Sequence, residues 1–434
     1  MEKKRFYNSF SILQWFVFLL ANAVALPIII GGIFHLSMEE ISTLMQRTFF
    51  VVGISSFLQG WLGHRYPIAD GPAGSWVSVF VILGQVATHQ GQNTKEVLQL
   101  LEGGLIIAGL LLFILGVTGL VHRILFLFTP LVTGTFLLIL ALQLSGVLLK
   151  GMMGLQGAVV HPDYKVASIA FFVFSFIILL SIKGKGWIKS YAVFLGISFG
   201  WLLYVLLGKV TNTAPNSSSF VKLPDFFSWG APRLDAGIIV TSILFTFLLV
   251  SNSIAAIAAV KQVASVPGKD EKQTLDCGIW VGGISHFISS LFSTIGIVPL
   301  PASAGFIRLT GQKRVRPFLI ASIVLSCIAL IPSIVNFLSL LPGPIANAAL
   351  LATFVQMIGI AFQSILHEEL DQRRFTILGI TLLISIGLMF LPSSAFEGLP
   401  PTLQYVCSNG ILVGTTIVII LEQLWKERKS VTNN

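Results

Sequence analysis

Residues 67–76 read PIADGPAGSW and residues 298–306 read VPLPASAGF. Each sets proline and glycine into an apolar neighbourhood and keeps an ionisable residue close by, Asp70 within the first and Arg308 just after the second. Proline removes a backbone donor and glycine loosens a helix. Such stretches leave N–H and C=O groups that hydrocarbon cannot satisfy, so they must face protein or a wet cavity. The chemistry open to them is recognition: peptide N–H groups, at the positive end of a half-helix, aimed at the oxygens or the charge of a small polar solute. Pro299 and Pro301 could instead kink an ordinary packed helix. The matching break in both stretches favours a site.

A membrane is what would position them. Of the 434 residues 55% are hydrophobic and 10% charged, and the mean hydropathy is +0.89. That is more apolar matter than one globular core buries. Hydropathy predicts fourteen segments, at 10–34, 43–62, 71–88, 97–120, 126–149, 165–182, 187–208, 236–260, 274–295, 301–311, 316–338, 344–365, 374–391 and 405–425. The first apolar run, after MEKKRF, shows no convincing cleavage site and reads as the first span. The polar connection GKVTNTAPNSSSFVKLPDFFSWGAPRLD separates seven segments from seven, so the second half is inverted relative to the first. The third segment of each half is the broken one.

Charge orients the set. Most of the 27 basic residues fall on the side of the N-terminus; Arg47, Lys95, Lys150, Lys165, Lys209, Lys222 and Arg233 face the other way, and Arg308 lies within a span. The positive-inside rule then puts both termini in the cytoplasm of a multi-pass plasma-membrane protein. The net charge of +9 follows from topology and calls for no nucleic-acid partner. Cys277, Cys327 and Cys407 have neither metal-ligand spacing nor a disulfide frame. Phosphate loops, metal spacings and carboxylate clusters are missing from the sequence, so no enzyme, cofactor or metal is expected. A channel would need a continuous lined pore, whereas paired broken segments favour alternating access.

LQWFVFLLANAVALP (13–27), FTPLVTGTFLLILALQLSGVLLKGMMGL (128–155) with Pro130, Gly134 and Gly146, and SAGFIRLTG (303–311) with Gly305 and Thr310 together resemble the nucleobase–ascorbate transporter family, the uracil and xanthine permeases. The resemblance runs from about residue 10 to residue 425. It implies an all-α polytopic fold of fourteen segments in a 7+7 inverted repeat, with half-helices as segments 3 and 10. It also implies a core domain (1–120 and 235–338, segments 1–4 and 8–11), a gate domain (121–210 and 339–425, segments 5–7 and 12–14) and a cytoplasmic tail at 426–434. The implied activity is import of a nucleobase such as uracil, xanthine or another purine, coupled to H+ or Na+. Membrane lipid and a second copy of the chain, joined through the gate domain, are the implied partners. The chain departs from the pattern at Ser303, where the signature has asparagine, and at Asn252 and Ala302, where members carry glutamates that grip the base and serve coupling. Trp15 replaces a histidine, and Asn347 with Ala348 replaces a glycine pair. The base and the coupling ion therefore do not follow from the resemblance.

The candidate substrate-binding residues are Asn252, Ser303, Gly305, Ala302, Gly74, Ser75, Asn22, Ser253 and Phe354. Asn252 offers one acceptor and two donors to the amide-like edge of a base, or a bond between helices. Phe354 could stack on a base or simply pack. Gln14 and Ser251 are further polar candidates on segments 1 and 8. Asp70 and Arg308 are candidates for a charge pair across the site, or Asp70 for carriage of a coupling proton, because ionisable groups at membrane depth are expensive. The plainer alternatives are a snorkelling arginine and a helix-capping aspartate. Glu102 and His286 lie at helix positions that ask less of them. A rival function is an anion carrier of the same architecture, akin to sulfate and bicarbonate transporters, in which Arg308 and two half-helix dipoles hold a negative substrate.

Overall fold

Helix starts are written into the chain as caps. Ser37 and Glu40 form a capping box, and Asn93, Thr129, Asp163, Asp235, Asp371 and Asn409 each accept from the first-turn N–H groups of the helix that follows. The computed structural model describes residues 2–77, 79–80, 93–155, 161–208, 219–264, 271–396 and 398–425. Its main elements are α1 (Glu2–Ala23), α2 (Ala25–Ile33), α3 (Met38–Trp61), β1 (Asp70–Pro72), α4 (Thr94–Val117), α5 (Pro130–Met152), α6 (Tyr164–Lys183), α7 (Ala192–Leu206), α8 (Ala236–Val263), α9 (Glu271–Leu291), β2 (Ile297–Pro299), α10 (Ala302–Thr310), α11 (Val315–Ala329), α12 (Pro332–Ser339), α13 (Gly343–Ile365), α14 (Gln372–Phe390) and α15 (Gly410–Leu424). Among the described residues eight helices are long and apolar enough to cross a bilayer, or nine if the bent pair α11–α12 is one span. The protein is a multi-pass membrane protein.

Packing follows the inverted repeat. α3 lies on α11 and α4 on α9, and exchanging the halves turns the first pair into the second. α5 packs on α13, its own counterpart, while α6–α7 and α14–α15 form equivalent pairs. β1 and β2 pair antiparallel with Asp70 opposite Pro299, Gly71 opposite Val298 and Pro72 opposite Ile297. The two-fold therefore passes through the Gly71–Val298 pair. Ala73 N–H donates to the Gly296 carbonyl and Leu300 N–H to the Ala69 carbonyl, both at 2.9 Å, extending the ladder equally at its two ends. Close approach in the core depends on glycine: a Cβ on Gly283 would lie 2.6 Å from the Gly109 carbonyl oxygen, and one on Gly109 would lie 2.9 Å from that of Gly283.

Three expected spans differ in shape. The segment expected at 316–338 turns by 89° between α11 and α12, because Ile331 is extended and Pro332 opens a new helix. The segment expected at 187–208 is a short helix, Trp187–Ser190, and then α7; that expected at 405–425 is Pro401–Cys407 and then α15. Tyr191 leaves helical geometry in the first case, and Asn409 caps a fresh start in the second. Of the segment expected at 71–88, helix is described at residues 74–77 and 79–80, while 81–88 and the tail at 426–434 lie outside the described residues.

Candidate functional site

The paired strands end the chain's extended course near the middle of the protein, and each hands over to a helix, one beginning at residue 74 and the other being α10. Side chains from three directions hold the strands. Ser56 on α3 accepts from the Asp70 N–H (3.0 Å) and donates to the Asp70 carbonyl (3.3 Å). Ser303, at the start of α10, accepts from the Ala69 N–H (3.0 Å). Asn252 on α8 donates its amide N–H to the Pro299 carbonyl (2.9 Å). These bonds satisfy backbone that proline and the strand breaks would otherwise leave open.

In front of the strands lies a cavity of about 570 Å³. One wall is made of α1 (Val17 to Asn22), Pro72, Gly74, Ser75, Asn252, Val298, Leu300 to Ala302, Gly305, Phe306, Arg308 and Leu309, and the other of Leu137, Leu140, the end of α6, Lys189, Tyr191 to Phe194 and the α13 face from Leu350 to Gln363. The half-helix starts thus point into a space shared with α5, α6 and α13. The N–H of Ala302 has no backbone acceptor among the described residues, so it remains a donor at a helix N-terminus. Phe354 closes over the first half-helix: a Cβ on Gly74 would stand 3.4 Å from its ring. Gly305 has open space where a side chain would be. Phe18 stacks on Phe306 at 4.5 Å between ring centroids, giving the cavity an aromatic flank.

Asn252, Gly305, Ala302, Gly74, Ser75, Asn22 and Phe354 all line this cavity, and so does Arg308. Asn252 is half-buried and keeps its Oδ1 and one N–H after bonding Pro299; Asn22 returns its amide to the Phe18 carbonyl at 2.8 Å. Ser303 and Ser253 are not in the lining. Both are buried, Ser303 holding β1 and Ser253 donating to the Leu249 carbonyl within its own helix (2.9 Å). The candidate Asp70–Arg308 pair does not form: Arg308 is exposed at the cavity mouth, whereas Asp70 is buried and neither carboxylate oxygen has a hydrogen-bond partner. Nor does the Asp70 side chain cap a helix. Asp70 lies outside the cavity lining, whereas Arg308 is part of it.

Other residues singled out above have plain tasks. Gln14 accepts from Gln312 (2.9 Å), Glu102 from Ser293, and His286 Nε2 from the Trp76 indole (3.1 Å). Sequence reasoning passed over Thr353, Gln356 and Gln363, which line the cavity from α13. Their signal was legible: polar residues at i, i+3 and i+10 of an apolar helix share a face. Lys189 and Tyr191 also reach the cavity, at the break before α7.

Comparison with known proteins adds an independent line. The Permease family model Xan_ur_permease matches residues 8–394. A putative purine permease of Bacillus subtilis, YwdJ, is 33% identical over 427 residues, covering 96% of this chain and 96% of its own length. A xanthine permease of the same organism is 24% identical, covering 92% of this chain and 90% of its own. Among solved structures, the transmembrane domain of the cyanobacterial bicarbonate transporter BicA superposes with a TM-score of 0.64 at 14% identity, covering 95% of this chain and 98% of that one. That last likeness concerns the fold, which is the 7+7 inverted repeat.

Proposed function

The chain belongs to the xanthine and uracil permease family, a family of transporters rather than enzymes, and from that premise we propose that it imports an oxidised purine, such as xanthine or uric acid, across the plasma membrane. Both termini would be cytoplasmic, and transport would be coupled to a cation. The observation that carries this reading is the cavity in front of the paired strands. Asn252, fixed by Pro299, presents an acceptor and a donor side by side, and Ala302 offers a backbone N–H. That set matches the alternating lactam edge of an oxopurine. The space between Gly305, Gly74 and the Phe354 ring is apolar on its faces and suits a flat ring.

Division of the chain into a core (segments 1–4 and 8–11) and a gate (segments 5–7 and 12–14) gives the motion. The cavity's two walls come from these two sets, so displacement of one against the other would carry the strands and their solute across the bilayer. The fold is shared with a bicarbonate transporter and an anion transporter, and Arg308 stands in the cavity mouth. A carrier of inorganic anions is therefore the second reading. Uptake of radiolabelled xanthine, urate, hypoxanthine, uracil and sulfate, by cells lacking their own carriers, separates the two. Saturable purine uptake that unlabelled purine suppresses and sulfate does not is the expected result; sulfate accumulation without purine uptake would overturn it.

A further inference from the structure

Outside the cavity lining, Asp70 is 1% exposed and its two carboxylate oxygens have no partner. Among the described buried acids this is singular: Glu102 has Ser293 and Glu422 has Arg373. The two-fold through Gly71 and Val298 makes Ile297 the counterpart of Asp70, and Ile297 is equally buried. The slot is therefore one that an apolar side chain fills, and the acid in it is not demanded by packing. None of the described cavity-lining residues is an aspartate or glutamate. A coupled ion needs a place to ride, and the cavity wall supplies no carboxylate for it.

We propose that Asp70 is the group that takes up and releases a coupling proton, an inference that rests on the transport reading above and names its ion and its carrier. The group sits on the strand that the moving half-helices share, so anything that displaces the strands changes its access to water. When the core faces outward, the carboxylate takes one proton from the outer water and becomes the neutral acid. When the core faces inward, that O–H bond breaks and the proton leaves to the inner water; no other bond changes. A bare carboxylate crossing the hydrocarbon region would cost several kcal/mol, so the neutral acid is the form that travels. Loading of Asp70 thereby becomes a condition for movement.

The surroundings suit one exchangeable proton. β1 packs against α1, α3 and β2. β2 has no titratable residue; on α3 the nearest is Arg47, nine residues and about 14 Å along the helix from Ser56. The titratable residues of α1 are Glu2, Lys3, Lys4, Arg5 and Tyr7, at its start, and the buried His64 and Tyr66 precede β1 in the connecting loop. Thr48, Ser55, Ser56 and Gln59 are buried polar residues of α3, and Ser56 bonds the Asp70 backbone.

The test uses the full-length chain in liposomes with labelled xanthine or urate. Wild type should accumulate the purine when a proton gradient is imposed, with matching acidification reported by an internal dye. Asp70→Asn should lose accumulation at least tenfold yet keep purine exchange between equal concentrations on the two sides, and that exchange should no longer depend on pH. Asp70→Glu should recover part of the accumulation. Should Asp70→Asn fail to fold, wild-type protein is treated with dicyclohexylcarbodiimide, and peptide mass spectrometry should find the adduct on Asp70, reduced by purine. Proton-coupled accumulation that survives in Asp70→Asn, accumulation that follows sodium instead, or an unmodified Asp70 would each overturn the proposal while leaving purine transport intact. Absence of purine transport by wild type would instead sink the functional reading.

Discussion

The two broken segments share a backbone plan and divide the chemistry between them. Each runs a three-residue strand into a helix, and the register equates Ala69 with Gly296, Asp70 with Ile297, Pro72 with Pro299 and Trp76 with Ser303. Both prolines sit at equivalent points, so the break itself is symmetric. What pins each helix to the opposite strand is not. In the first half the Trp76 indole covers Gly296 and donates to His286; in the second, the small Ser303 hydroxyl takes the Ala69 N–H. The first segment buries an acid outside the cavity lining, and the second exposes a base at the cavity mouth. Symmetry builds the scaffold, and departures from it give the two halves different side-chain chemistry.

The contrast between the two pins is tested most severely by spoiling the fit of one. A Cβ on Gly296 would lie 2.3 Å from the Trp76 ring, a rigid neighbour that cannot move aside cheaply. Gly296→Val should cost about 3 kcal/mol by overpacking, read as a loss of monodisperse protein in fluorescence-detected size-exclusion. Full recovery of folded, active protein would mean that Trp76 does not pin the first half-helix. The reciprocal change is milder. Ser303→Ala leaves the buried Ala69 N–H without its acceptor, a loss of about 1–2 kcal/mol, to be measured as a lower thermal midpoint with substrate affinity nearly unchanged. A drop in affinity with stability preserved would instead mark Ser303 as a substrate contact.

Between these structural pins and the electrostatic rim stands Asn252, which belongs to both categories. It holds Pro299 and faces the cavity. Asn252→Ala should lower purine uptake about tenfold, the loss of one or two hydrogen bonds at about 1.4 kcal/mol, mostly as a raised KM. Asn252→Asp is the narrower probe, since the acid keeps the acceptor and loses the donor to Pro299. Equal uptake by both variants and wild type would remove Asn252 from the site.

Much of the architecture is readable in the residues because the bilayer forbids alternatives. Fourteen apolar segments, an odd number per half and proline–glycine breaks in each third segment force an inverted repeat with a central cavity. The side-chain assignments depended on strand alternation and helix rotation, which hydropathy does not report. Asp70 was legible as an intramembrane acid, yet its burial outside the lining that holds Arg308 depends on local packing that hydropathy does not report. Ser303 was placed in the site by its neighbourhood, but a hydroxyl close to Gly305 can as readily bond the opposite strand. The bend at Ile331–Pro332 was signalled by the proline, and the apolar residues on both sides masked it.

The mildest change concerns Arg308, and it discriminates between the two readings of the cavity. Its side chain is exposed at the mouth, six residues into α10, and has no ion pair among the described residues. A charge so placed acts through solvent, drawing anionic solutes toward the opening and fading as salt screens it. Arg308→Gln should therefore change purine KM by about two- to threefold at low ionic strength, with the difference vanishing above physiological salt. A carrier of inorganic anions would behave otherwise, because there the guanidinium would have to close on its substrate. In that case the same substitution would abolish uptake at every ionic strength, and Arg308→Lys would restore only part of it. Salt dependence thus separates a rim charge from a gripping one, and it does so whichever purine the cavity takes.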